Sequence, residues 1–171
     1  MKNELKNAIE FRNPVKIQVF DKDGNLKHET SALNGVVDTG IEHMLDRTFN
    51  SATDEPTWYI GLMNASPTLD PSDTILAAGH SGWTEFTAYS SPATRQTWSN
   101  GAASSRAVTN ATTADFTISG GASTVSGIFV CTESTISGPG TGEILWATAE
   151  FASAASVTGG DTLKVTYTVS G

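Results

Sequence analysis

Turn-forming clusters recur at fairly regular spacing along the second half of this chain, and the segments between them suit short strands. Ser90-Ser91-Pro92, Asn100-Gly101, Gly120-Gly121, Gly138-Pro139-Gly140 and Gly159-Gly160 punctuate the sequence. Each combines residues that favour a backbone reversal. Val15-Lys16-Ile17-Gln18-Val19-Phe20 alternates apolar and polar residues with one slip at its end, the period of a half-buried strand. Asp21-Lys22-Asp23-Gly24-Asn25 supplies turn chemistry, and residues 26–32 return as the partner strand. Residues 58–63 form a continuous apolar run, suited to a strand buried on both faces. Further strand candidates are 83–89, 95–99, 114–119, 126–132, 143–151 and 162–169. So many strands at this spacing predict an all-β fold, an antiparallel β-sandwich that is jelly-roll-like. The most apolar runs place Trp58, Ile60, Leu62, Phe129, Leu145, Trp146, Leu163, Val165 and Tyr167 in its core.

One helix interrupts the pattern, at about residues 39–49. Thr39 is placed to cap it, with Glu42 three residues on as in a capping box. Ile41, Met44, Leu45 and Phe49 fall at i, i+3, i+4 and i+8, a single apolar stripe expected to plug an open end of the sandwich. Ahead of the first strand, residues 1–13 read as an N-terminal arm, and 14–171 as one domain. The arm mixes Leu5, Ile9 and Phe11 with Lys2, Lys6 and Arg12. Leu5 and Ile9 are spaced to form a short amphipathic turn on docking. Leu5, Ile9, Phe11 and Arg12 are the expected protein-interface residues.

Charge narrows the function. The 171 residues carry a formal net charge of -8, and only 16% are charged, against roughly 25% in ordinary domains. After residue 50 the cations are Arg95, Arg106 and Lys164 alone. This is the wrong balance for a nucleic-acid binder. Four Trp, seven Phe and three Tyr supply a core and argue against disorder. Cys131 is the single cysteine, which excludes an intramolecular disulfide and reads as a small apolar residue inside a strand. No apolar run is long enough for a transmembrane helix. Lys2 and Lys6 are followed by no signal-like apolar stretch. The expected compartment is a cytosol, or the medium after lysis.

Searches for chemistry return structural readings. In Asp21-Lys22-Asp23-Gly24-Asn25 the glycine stands at the fourth position, where a calcium loop needs it at the sixth. His28, His43 and His80 have no neighbouring ligand at zinc spacing. Gly79-His80-Ser81-Gly82 is not a nucleophile elbow. Gly138-Pro139-Gly140-Thr141-Gly142 lacks the ending of a phosphate loop. Asp54/Glu55 and Asp70/Asp73 read as solvated loop pairs. The sequence predicts no enzyme, no cofactor and no metal.

The stretch Gly35-Val36-Val37-Asp38-Thr39-Gly40-Ile41-Glu42-His43-Met44-Leu45-Asp46 is followed by Thr57-Trp58-Tyr59-Ile60-Gly61-Leu62. Asp73-Thr74-Ile75-Leu76, Ala78-Gly79-His80-Ser81-Gly82-Trp83-Thr84-Glu85-Phe86 and Tyr89 come next. Over roughly residues 35–100 this order resembles small virion proteins of tailed bacteriophages. The resemblance implies a head-decoration (cement) protein that stabilises the capsid by binding adjacent subunits. A tail, collar or fibre-attachment subunit is the alternative. The implied partners are the major capsid protein and further copies of the chain, without nucleic acid or membrane. The implied location is the outer surface of the head, or the tail, of a particle assembled in host cytoplasm. A third reading is a carbohydrate-binding or glycan-cleaving module. Trp83, Tyr89 and Trp98 would then line a platform for a host-surface glycan, although their strand spacing favours packing in the core.

Overall fold

A computed structural model describes residues 11, 13–50, 56–64, 67–75, 82–136 and 143–171. Chain order runs β1 (Asn13–Phe20), β2 (Leu26–Val36), α1 (Asp38–Phe49), β3 (Tyr59–Asn64), β4 (Thr84–Phe86) and β5 (Tyr89–Ser91). It continues with β6 (Gln96–Thr97), β7 (Ala107–Thr109), β8 (Ala114–Ile118), β9 (Ser123–Cys131), β10 (Leu145–Val157) and β11 (Thr162–Ser170). The fold is mostly β and antiparallel, with one short helix among the described residues.

The first hairpin forms as its turn residues dictate. The Asp21 carboxylate accepts the backbone N–H groups of Asp23 and Asn25, at 2.9 and 2.8 Å. Gly24 takes the positive φ of +84° that the reversal needs. In β1, Asn13, Val15, Ile17 and Val19 alternate inward, so the strand begins within the stretch read as the arm.

The strand order is β4-β3-β9-β10-β2-β1-β11-β8-β5, with β6 added to β3 and β7 to β11. β4 and β5 stand at opposite ends of that order, yet only Thr87 and Ala88 separate them. Three Cα steps span at most about 11 Å, so the two ends of the sheet meet and the sheet curls on itself. The sequence reading of 83–89 as one strand is therefore corrected: a corner at Thr87-Ala88 breaks it into β4 and β5. Likewise, the candidate at 95–99 shortens to β6, because Arg95 leaves the strand to enter a buried contact.

Curling gathers the inward faces of both halves into one cluster. Val15, Ile17 and Val19 of β1 share it with Leu163, Val165 and Tyr167 of β11 and with Ile60, Leu62, Ile128 and Val130 of β3 and β9. A second cluster, with Met63, Trp83, Phe129, Cys131 and Leu145, lies on the other face of β3 and β9. The unbroken apolar run in β3 follows from this, since alternate residues serve different clusters. Gly61 pairs with Phe129 across the ladder. A Cβ at Gly61 would stand 2.1 Å from Phe129 Cζ, so its bare backbone makes room for the tip of the ring against β3. Of the nine expected core residues, seven are fully buried, while Trp58 and Trp146 are half-buried and pack against the main cluster from its rim.

The β10–β11 turn carries a pH-sensitive contact. Asp161 is buried and receives Lys27 Nζ at 2.5 Å and the Thr158 N–H at 2.8 Å. Burial pushes its pKa up, but the Lys27 and Thr158 hydrogen bonds outweigh that and hold it below the usual 3.8. A depressed carboxyl stabilises the fold above its unfolded pKa and loses that effect as pH falls through the folded value. Asp161→Asn is expected to cost about 1.5–3 kcal/mol at neutral pH. That deficit should shrink once pH falls below the unfolded carboxyl's value and vanish only below the lower, folded one. Urea unfolding at several pH values measures it, and a deficit that persists unchanged in acid refutes the assignment.

Candidate functional site

Helix α1 and the aromatic end of the sheet beside it form the most distinctive surface of the described residues. The chain enters the helix directly from β2, with Val37 as the N-cap and no side-chain cap bond. This corrects the expected capping box. The helix starts one residue early, and Thr39 Oγ1 instead donates to the Leu145 carbonyl at 2.7 Å. Val37 N–H donates to the Trp146 carbonyl at 3.0 Å, fixing the same end to β10. Gly40 is the buried residue of the helix. A Cβ there would meet the Trp146 carbonyl oxygen at 2.5 Å and its ring at 3.0 Å, so glycine permits the helix to lie close on β10.

The consequence for the apolar stripe is a second correction. The inward side carries Gly40, His43, Met44 and Arg47, all buried or half-buried. Ile41 is 37% exposed, Leu45 45% and Phe49 80%. The stripe points largely away from the protein and does not plug the sheet. Beside it, at the same spacing of four, run Asp38, Glu42 and Asp46, also exposed.

Under the helix lies a ladder of rings. His43 meets Trp58 edge-on at 5.7 Å, Trp58 meets Trp146 at 5.9 Å, and Trp146 meets Phe11 at 6.3 Å. Trp58, Trp98, Asn100, Val108, Trp146 and Val169 line a cleft of about 240 Å³. The indole N–H groups of Trp146 and Trp98 turn inward, to Tyr167 Oη at 2.9 Å and Asn110 Oδ1 at 3.2 Å. The cleft therefore presents ring faces with little hydrogen-bonding capacity.

Among the expected interface residues, Phe11 is half-buried against its own chain, while Leu5, Ile9 and Arg12 lie outside the described residues. Trp83, Tyr89 and Trp98 take the core positions that their strand spacing favours and form no glycan platform. They are 4%, 5% and 8% exposed and pack in the two clusters. The half-buried indoles are instead Trp58 and Trp146, which come from the runs read as core.

Polar side chains are also held inside the protein. Arg95 is 1% exposed. Its Nε and Nη2 donate to the two Glu85 oxygens at 2.8 and 3.0 Å, and its Nη1 to the Glu133 carbonyl at 3.0 Å. Its guanidinium stands 5.0 Å from the Phe129 ring centroid. No spacing in the sequence signalled this pair; β3–β4 pairing and the loop before β6 bring its members together. Asp73, expected in solvent, is buried and accepts the Trp83 indole N–H at 3.3 Å. Burial pushes the Cys131 thiol up to about 11, which leaves it unreactive. Among the described residues, no three His, Cys, Asp or Glu side chains are grouped to hold a metal. Nor is any helix among them long and apolar enough to cross a membrane. Asp54/Glu55, His80 and the glycine loop at 138–142 lie outside the described residues.

No protein-family model matches the chain, and no curated protein matches it in sequence.

Proposed function

We propose that this chain is a structural subunit of a tailed-bacteriophage particle. In this reading it is a head-decoration protein on the outer surface of the capsid, binding adjacent copies of the major capsid protein and of itself. Its role is adhesion without catalysis or a cofactor. The observation that carries this reading is the outward face of α1, where apolar Ile41, Leu45 and Phe49 lie exposed beside an acidic row. Apolar residues held in a contiguous exposed row mark a protein-contact surface. The sparse charge elsewhere suits close, hydrogen-bonded packing in a lattice, and the acidic balance keeps the chain off packaged DNA. The shared cluster between the two halves of the curled sheet supports a jelly-roll-like sandwich as the underlying architecture.

Quantitative mass spectrometry of purified particles from the encoding phage tests the reading. A copy number that follows the capsid lattice is the expected result, with occupancy reduced in Phe49→Glu. A small ring multiple would move the chain to the tail or collar. Its absence from particles would refute a virion role.

A further inference from the structure

We propose that the outer face of α1 docks a basic amphipathic helix of a neighbouring protein, one whose apolar row is flanked by lysine or arginine. The inference rests on the proposed role as an adhesive subunit and names the chemistry of the surface it adheres to. Ile41, Leu45 and Phe49 stand four residues apart, and so do Asp38, Glu42 and Asp46 beside them. All six are exposed. Residues four apart on a helix share one edge, each about 6 Å along from the last. The two rows are therefore parallel ridges, one apolar and one acidic, along the 12-residue helix.

The acidic row is costly where it stands. Like charges four apart repel on a helix, and here two such steps follow each other. Asp46 also lies in the last turn, where the helix dipole disfavours an anion. It receives the Asn50 side-chain amide at 3.4 Å, a donor that carries no charge. Among the described residues, no lysine or arginine forms a salt bridge with any of the three carboxylates. His43 and Arg47, the basic residues of α1, lie half-buried on its inward side. Three carboxylates without a cation, edging an exposed apolar row, fit a partner that brings the cations.

Charge also decides between occupants. A second copy of α1 would bring three more carboxylates to the seam and no exposed cation, whichever way it ran. Membrane surfaces hold helices whose polar face is rich in Lys and Arg, the reverse of this one. A basic amphipathic helix supplies both parts. Its own row of residues four apart packs against the apolar ridge of α1, and its cations lie beside the acidic one. One helix offers a small contact, so it holds best where many act together in a repeating lattice.

Zero-length coupling to the full chain tests the proposal. The probe is a synthetic amphipathic helix of leucine and lysine with blocked termini. Carbodiimide joins its lysine amines to carboxylates in direct contact, and mass spectrometry maps the sites. Glu42 and Asp46 are expected to couple at least roughly tenfold more than Asp23 and Glu150, which are exposed elsewhere. A probe with serine in place of leucine keeps the charge and should lose that preference. Leu45→Ser/Phe49→Ser in the chain should lose it too, and the serine probe reads the same dependence on the unaltered protein. Uniform coupling across the carboxylates, or a preference that survives loss of the probe's leucines, would overturn the docking face. A chain that fails here yet is present in particles loses the docking face and keeps its proposed role. One that couples as expected but is missing from particles does the reverse.

Discussion

Glu85→Ala is expected to destabilise the protein by about 3–5 kcal/mol, the cost of breaking a buried ion pair from one side. Arg95 is almost fully enclosed, and two of its three short hydrogen bonds to oxygen go to Glu85. Without that carboxylate, the guanidinium keeps one carbonyl, the Cys131 sulfur at 3.6 Å and an aromatic face, too little to replace its lost hydration. The cost lies in the stranded charge, so removing both charges should recover most of it. The Glu85→Leu/Arg95→Met pair is expected within about 1–2 kcal/mol of the parent. Urea unfolding followed by tryptophan fluorescence checks both. A single-variant loss under about 1 kcal/mol would mean that water reaches Arg95, against the enclosure described.

Phe129→Ala should cost a similar amount, about 3–5 kcal/mol, by emptying the centre of the second cluster. The ring packs against Trp83 at a centroid distance of 4.8 Å, lies over Gly61 and stands beside the Arg95 guanidinium. Its removal is therefore coupled to what faces it. Gly61→Ala alone forces a methyl into the ring and should cost at least about 1–3 kcal/mol by overpacking. On a Phe129→Ala background the same methyl enters vacated space and should cost far less. A double-mutant cycle measures the coupling. Additive losses at the two positions would refute the contact between Gly61 and the ring.

These two sites also mark where sequence reading stops. Val15–Phe20 and its hairpin partner were legible because alternation and an Asp-Gly-Asn turn are local signals. The unbroken run at 58–63 correctly implied a strand covered on both sides. Arg95 and Glu85 were invisible, since ten residues apart in sequence they share no periodicity and meet only through the β3–β4 ladder. Helix α1 was legible in its bounds and misread in its orientation. A 3.6-residue period reports that a stripe exists, not which side the protein occupies. Gly40 decides that here, because the close approach it permits turns Ile41, Leu45 and Phe49 outward. Trp58 and Trp146 read as interior residues on size and setting, whereas both are half-buried and pack at the edge of the main cluster. The corner at Thr87-Ala88 was missed because neither residue is a strong turn former.

The position of β11 has a consequence for how the protein is made. This last strand lies between β1 and β8, and its register pairs Val15 with Tyr167 and Phe20 with Thr162. One side of β1 therefore stays open until β11 has been made. Pairings this distant in sequence slow folding. The interior that β1 and β11 share therefore closes late, and a chain cut short before Thr162 would leave β1 unpaired on that side.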